Sequence, residues 1–371
     1  MKKEFRKLGG IIIIFLALYF LPFNREIVKD VFFNGLILLQ NYAREHVLLC
    51  LIPAFFIAGG ILVFAKKDAI LKYLGANTSK WISYPIASIS GGVLAVCSCT
   101  ILPLFAGIWK RGAGIGPATT FLYAGPAINI AAIFLTGTVL GWELSFVRLA
   151  FSIIGAIIIG FLMDKFFREK HNEKTFIITD EKLQFSKIDI MLFFLLQLAF
   201  LVTGSLPINS ILKLILMPLY IILLLILIFL KFDKNHNKLW ISETWDFTKK
   251  ILPLLFLGIF IAGILFQLIP QNTVQKFLGQ NRLFSNFFAS VFGALMYFAT
   301  LTEVPIIKEL MRLGMGKGPA LSLFLSGYSL SLPNMIVITK LMGFKKAISY
   351  ILLIVLYSTI AGFIYGNFMF Q

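Results

Sequence analysis

Residues 91–125 read GGVLAVCSCTILPLFAGIWKRGAGIGPATTFLYAG, and residues 293–327 read GALMYFATLTEVPIIKELMRLGMGKGPALSLFLSG. The second stretch repeats the first without a gap at a constant offset of 202, and nine of the 35 paired positions are identical. Seven of those nine pairs are glycine or proline, which fix backbone shape rather than fill space. The duplicated feature is therefore a pattern of breaks and turns. Such paired interruptions in two apolar halves point to a transport site.

The composition predicts a polytopic membrane protein. Hydrophobic residues make up 59% of the 371 residues, charged residues 14%, and the mean hydropathy is +0.90. A soluble protein of this length does not have so little polar surface. Apolar runs of roughly 20 residues can cross a bilayer core of about 30 Å. We therefore expect an all-α polytopic membrane protein of about 8–11 transmembrane segments in two repeated halves, with broken or re-entrant helices.

The chain divides into four segments. Residues 1–45 hold an N-terminal span and a connecting segment, 46–163 the first repeat, 164–240 a loop with linking spans, and 241–371 the second repeat. The Lys/Arg-rich stretch 164–187 is predicted to be cytoplasmic by the positive-inside rule. We interpret the N-terminal apolar run as a retained span, with a cleaved signal as the alternative. The formal charge of +17 is gathered in connecting segments, so no nucleic-acid partner is expected.

The segment 81–109 predicts a break within the membrane. Lysine and arginine flank it on both sides, so a single crossing would conflict with the positive-inside rule. Either the rule fails here or the segment dips in and returns on the same side. Gly91, Gly92 and Pro103 make an interruption plausible. Irregular backbone at membrane depth is tolerated only when it is buried in protein or lines a cavity, so a break predicts a cavity.

The sequence Cys97-Ser98-Cys99-Thr100 is the first candidate for binding chemistry. Soft sulfur ligands select thiophilic partners such as trivalent arsenicals, Cu(I) or Zn. Residues two apart on a regular helix point to different faces, so the two thiols converge only where the backbone is irregular. The alternative is that both cysteines are small packing residues, because free cysteine is often buried.

Glu303 is the second candidate, and it aligns with Ile101 of the first repeat. A carboxylate within a span costs about 2.5–3.5 kcal/mol on insertion scales and usually faces a bundle interior or an aqueous path. We predict that Glu303 carries a coupling proton. In the alternative interpretation it lies near the membrane surface and pairs with Lys308 or Arg312.

Pro126 and Asn129, with Asn334 in the matching part of the second half, form the third candidate. Proline frees a backbone carbonyl, and asparagine offers both a donor and an acceptor. The combination suits an unwound helix that presents polar groups to a substrate, although a simple kink would use the same residues. Thr100 and Thr302, in the cysteine and carboxylate blocks, complete the predicted substrate-binding set.

The run CSCTILPLFAGIWKRGAGIGPATTFLYAGPAIN, with LTEVPIIKELMRLGMGKGPALSLFLSGYSLSLPN in the second half, resembles the UPF0718 predicted permeases. This group includes the ArsP-like organoarsenical efflux permeases, and the likeness covers residues 46–368. The resemblance implies a multi-pass permease of the cell membrane that exports small solutes, with trivalent organoarsenicals as the attested class. It also implies that Cys97 and Cys99 match the family's cysteine motif, and that Asn129 and Glu303 fall in its other characteristic segments.

The working hypothesis is proton-coupled antiport. Cys97 and Cys99 would bind the metalloid, Glu303 would carry the proton, and the breaks would let one half move against the other. The chain has no GxxxxGK[ST] motif, so ATP is not the direct driver unless another subunit supplies it. No cofactor, metal or enzymatic activity is predicted. The alternatives are a membrane-embedded thiol oxidoreductase, a permease for a different solute, and a channel or scaffold.

Overall fold

The structure, a computed structural model, describes residues 26–64, 72–75, 78–93, 98–167, 186–205, 210–268, 277–297 and 303–368. These residues are almost entirely helical, which confirms the predicted all-α class. Within them the only β-pairing is an isolated bridge between Gly75 and Ala113. The predicted first span at 10–23 and most of the basic loop at 164–187 lie outside the described residues.

Fifteen α-helices follow one another in the described part of the chain. They are α1 Glu26–Tyr42, α2 Ile52–Phe64, α3 Lys80–Val93, α4 Ser98–Lys110, α5 Ile115–Ala127, α6 Ile130–Leu140, α7 Trp142–Phe166, α8 Lys187–Ser205, α9 Ser210–Lys231, α10 Lys234–Leu268, α11 Leu283–Leu295, α12 Glu303–Arg312, α13 Lys317–Gly327, α14 Leu332–Met342 and α15 Phe344–Phe368. A π-helical stretch, Ala43–Leu51, connects α1 to α2.

Several of these helices have the length and composition of membrane spans. Within the described ranges four qualify as single helices, namely α7, α9, α10 and α15, and up to seven qualify if each of three bent pairs counts as one span. Two of the bent pairs, α5 with α6 and α13 with α14, each bend by 44°. The count of 8–11 includes the segment 10–23 and stays a prediction for the whole chain, as does the division into four segments.

The internal repeat is a unit of five helices. At the offset of 202 found in the sequence, α3–α7 correspond to α11–α15, and both α6/α14 and α7/α15 begin and end at equivalent residues. Positive-φ glycines recur at the same offset, Gly112 with Gly314 and Gly141 with Gly343. A side chain at these turns would be strained, so the glycines are needed there. The duplicated unit therefore extends well beyond the identities at 91–125 and 293–327.

Each unit opens with a re-entrant hairpin. In the first unit, the Gly114 N–H donates to the Leu74 carbonyl at 2.8 Å, so the chain that leads into α3 touches the chain that leaves α4. In the second unit, the Gly316 N–H donates to the Leu278 carbonyl at 3.2 Å and closes the hairpin of α11 and α12. The segment 81–109 thus enters and returns at the same end of the molecule, as one of the two sequence interpretations expected.

The helices α7 and α15 run antiparallel. The Tyr365 hydroxyl donates to Glu143 Oε1 at 2.9 Å, whereas the Tyr357 hydroxyl donates to the Phe151 carbonyl. Residues later in α7 therefore meet residues earlier in α15. Two equivalent spans that cross in opposite directions make the two units inverted repeats.

Candidate functional site

The second helix of each hairpin carries residues that the sequence marks as chemical. In the described residues α4 begins at Ser98 and α12 begins at Glu303, and both of these residues are buried. Helix N-termini carry partial positive charge and unpaired N–H groups. Cys97 and Thr302 lie outside the described residues, and only the helical backbone is described for Cys99. Their roles toward a solute stay predictions.

Each hairpin contacts the bent span of the opposite half. The helix α4 packs against α14, and the equivalent helix α12 packs against α6. The fold thus brings the helix of Thr100 to the helix of Asn334, and the helix of Glu303 to the helix that follows Asn129. Thr100 is fully buried. The predicted residues come from both halves and lie on helices that meet between them.

The bends between paired helices are closed by equivalent caps. Asn129 Oδ1 accepts a hydrogen bond from the Ala132 N–H at 3.3 Å, and Ser331 Oγ accepts from the Asn334 N–H at 3.4 Å. The counterpart of Asn129 at the offset of 202 is therefore Ser331, not Asn334. Asn129 has a structural role as a helix cap, so binding of a solute would be an additional role. Pro126 is buried in the last turn of α5, where it shapes the same bend.

Glu303 is fully buried, and neither of its carboxylate oxygens has a hydrogen-bond partner among the described residues. The alternative of a surface pair with Lys308 or Arg312 is not found in the described part of the chain. Instead Arg312 pairs with the exposed Glu309 at 2.9 Å. A buried carboxylate without a partner is costly, so it is typical of a functional group rather than of a structural one.

Arg148 of α7 is the charged residue that interacts electrostatically with Glu303, and the sequence analysis missed it. Its side chain is completely buried, and Nη1 donates to Thr136 Oγ1 at 2.7 Å. The guanidinium lies over two rings of the opposite half, 4.6 Å from the centroid of Phe324 and 5.1 Å from that of Tyr328. The available signal was that Arg148 is the one charged residue in the apolar run 144–163.

Two tyrosines extend this contact between the halves. The Tyr328 hydroxyl and Ser152 Oγ share a hydrogen bond at 2.6 Å. The Tyr123 ring lies 6.1 Å from the Tyr328 ring, and its hydroxyl donates to the Leu325 carbonyl at 3.4 Å. Since Leu325 occupies the position equivalent to Tyr123, this contact lies close to the pseudo-twofold axis. We define the central cluster as Arg148, Ser152, Glu303 and Tyr328.

The central cluster is suited to binding polar solutes and to holding charge away from water. It combines a cation, a carboxylate, a hydroxyl pair and aromatic surfaces inside an apolar helix bundle. Across the described residues, no group of three or more His, Cys, Asp or Glu side chains is close enough to hold a metal ion.

Comparison with known proteins identifies the family of the chain. Residues 32–367 match the model of the family ArsP_1, described as a predicted permease. The chain belongs to this family. A UPF0718 protein of Methanocaldococcus jannaschii is 44% identical over 340 residues, which cover 88% of this chain and 93% of that protein. No solved structure matches the chain.

Two further relatives extend the comparison. The UPF0718 protein YraQ of Escherichia coli is 24% identical over 282 residues, 76% of this chain and 66% of that protein. A putative two-component membrane permease complex subunit of Streptococcus mutans is 30% identical over 109 residues, 29% of this chain and 36% of that protein. This ArsP_1 member is therefore a multi-pass membrane permease for a small solute, and the family assignment favours a transporter over an enzyme.

Proposed function

We propose that this permease exports a small thiophilic solute across the cytoplasmic membrane by proton-coupled secondary transport, with trivalent organoarsenicals as the substrate class. Cys97 and Cys99, in and next to the start of α4, bind the solute. Glu303 of the second hairpin carries the coupling proton. The polar residues Thr100, Asn129, Thr302 and Asn334 contribute contacts along the route between the halves, and Pro126 keeps the bend open.

The observation that carries this proposal is the isolation of Glu303. The side chain is fully buried and has no hydrogen-bond partner in the described part of the protein. Glu303 is also the first described residue of α12, in the second hairpin. A proton on the carboxyl group removes the cost of a buried unpaired charge, so protonation and movement of the surrounding helices are linked. Intramembrane carboxylates that face a bundle interior typically serve as proton carriers.

The arsenical class is supported by the thiol chemistry of Cys97 and Cys99. Trivalent arsenic binds thiolates, and release requires that the thiol is regained, which protons favour. The inverted repeat supplies the mechanical part, because one half can move against the other around a site shared between them. Broken helices at matching positions occur where such sites are found.

Transport of phenylarsine oxide by everted membrane vesicles tests the proposal. Vesicles with an imposed inward-acidic gradient should accumulate the arsenical faster than vesicles without one. The double variant Cys97→Ser/Cys99→Ser should lose this accumulation, whereas Cys50→Ser should retain it. Gradient-independent uptake would exclude proton coupling, and unchanged uptake in the double variant would exclude the thiol site.

A further inference from the structure

Arg148 has an unused hydrogen-bonding edge that the proposed export mechanism does not explain. Its side chain is 0% exposed, and only Nη1 is occupied, by Thr136 Oγ1. Nε and Nη2 have no hydrogen-bond partner among the described residues. These two nitrogens lie on the same edge of the planar guanidinium, so the vacant donors form a fork that matches a two-oxygen group.

The positive charge of Arg148 is also uncompensated. In the described residues no carboxylate lies within salt-bridge distance of it, although Glu303 is close enough to interact electrostatically. The rings of Phe324 and Tyr328 offset part of the charge through cation–π contacts. They cannot satisfy the two N–H donors. A buried guanidinium without a paired anion is unfavourable, because no ion pair offsets its desolvation.

The surroundings hold the fork in one orientation. Thr136 of α6 anchors Nη1, and the rings of Phe324 in α13 and of Tyr328 just after it lie against the guanidinium. The guanidinium therefore lies at the contact between the halves, where Tyr328 interacts electrostatically with both Arg148 and Glu303 and shares a hydrogen bond with Ser152. A preorganised fork loses little entropy when it binds a ligand.

We propose that the open edge of Arg148 binds an oxyanionic group on the organic body of the transported solute, such as a carboxylate, through Nε and Nη2. This rests on the proposed permease function, but not on the thiol site or on arsenic chemistry. The cargo then has two recognisable ends, an anionic group held by Arg148 and an apolar body against the rings. Loss of the negative charge at Glu303 strengthens binding, because Glu303 repels the incoming anion.

Equilibrium binding to the purified full-length protein in lipid nanodiscs tests the inference. The anionic probes are benzoate and phenylarsonate, and benzamide serves as the uncharged isostere of benzoate. Arg148→Lys keeps the charge but loses the fork, so it should weaken binding of both anionic probes by about tenfold or more. Glu303→Gln should bind them more tightly than the unmodified protein. Arg312→Lys, which alters an exposed arginine in the same way, should leave binding unchanged.

The outcome does not depend on whether the Arg148 variant folds. On the unmodified protein alone, benzoate should bind at least about tenfold more tightly than benzamide, because the isostere lacks the charge. Equal affinity for these two, absence of binding of either anionic probe, or full affinity in a folded Arg148→Lys protein would each overturn the inference. Phenylarsine oxide binding that depends on Cys97 and Cys99 reports on the thiol site instead, so the two proposals fail separately.

Discussion

At the residue scale, the centre of this permease holds two opposite charges that are buried and not paired. Arg148 and Glu303 come from different halves and interact electrostatically, yet neither satisfies the hydrogen-bonding groups of the other. Ion pairs that serve stability alone have good geometry, because the attraction must offset the desolvation of both ions. The unpaired arrangement is the basis for our proposals that Glu303 carries a proton and that Arg148 binds part of the solute.

Replacement of Glu303 by glutamine should uncouple transport from the proton gradient. The amide keeps the size of the side chain but cannot exchange a proton, so uptake into everted vesicles should become insensitive to an imposed gradient. The rate with the gradient should fall by about tenfold or more, which is the size of effect expected when an interaction that lowers the transport barrier is lost. Uptake of phenylarsine oxide, normalised to the amount of protein in the membrane, is the measurement.

Glu309→Gln is the matched control, because Glu309 lies on the same helix but is exposed and paired with Arg312. This variant should retain gradient-driven uptake, since an exposed pair contributes little. Retention of full gradient dependence by Glu303→Gln would remove Glu303 from the coupling mechanism.

At the element scale, glycine contacts determine how closely the bent spans approach α7 and α15. A Cβ at Gly160 would collide with Thr120 Oγ1, and a Cβ at the equivalent Gly362 would collide with Ser322 Oγ. The collision at Gly362 also disturbs a hydrogen bond, because the Ser322 hydroxyl shares its proton between Asn286 Oδ1 and the Ser358 carbonyl, each at 2.9 Å. The same close approach is therefore built twice, with threonine in one half and serine in the other.

The substitution Gly362→Ala should destabilise the protein. The added methyl group must displace Ser322 from this shared hydrogen bond, and overpacking of this kind costs about 1–3 kcal/mol. We expect a lower apparent Tm in detergent at a fixed heating rate. Gly316→Ala is the control, because its Cβ would lie 3.4 Å from Pro319 Cδ in ordinary contact. A stability of Gly362→Ala equal to that of the control would contradict the close packing of α13 and α15.

The elements were predictable from sequence to different degrees. The glycine and proline identities reveal the repeat and the break at 81–109, because those residues act through local backbone geometry. The full extent of the unit was not predictable in this way, since α7 and α15 are apolar helices that need share no residues to share a shape. Arg148 was missed for a related reason. Its importance comes from Phe324, Tyr328 and Glu303 across the interface, and no local pattern reports such a contact.

Only part of the candidate site could be predicted from the sequence. Glu303 was identifiable because a carboxylate in an apolar segment is expensive wherever it lies. Asn129 was paired with Asn334 because both are asparagines in matching segments of the two halves. The helix caps show instead that Ser331 is the equivalent residue. A serine and an asparagine can cap a helix equally well, so identity does not mark this correspondence.

At the scale of the whole molecule, the account depends on the inverted relation of the two units. Antiparallel contacts between α7 and α15 define that relation. Hairpins that enter from opposite sides bring α4 and α12 to the bent spans of the opposite halves, and Glu303 of α12 interacts electrostatically with Arg148. Units with the same orientation would direct both hairpins from one side and could not form these contacts.

Labelling of two equivalent positions tests the inverted relation most directly. Glu143 and Lys345 are exposed, lie at the start of α7 and α15, and are related by the offset of 202. Single cysteines at these positions, in a background with Cys50, Cys97 and Cys99 replaced by serine, are exposed to a membrane-impermeant maleimide in intact cells and in everted vesicles. We predict that Glu143→Cys is labelled in cells and Lys345→Cys only in everted vesicles. Labelling of both cysteines from the same side would contradict the inverted repeat and the site built on it.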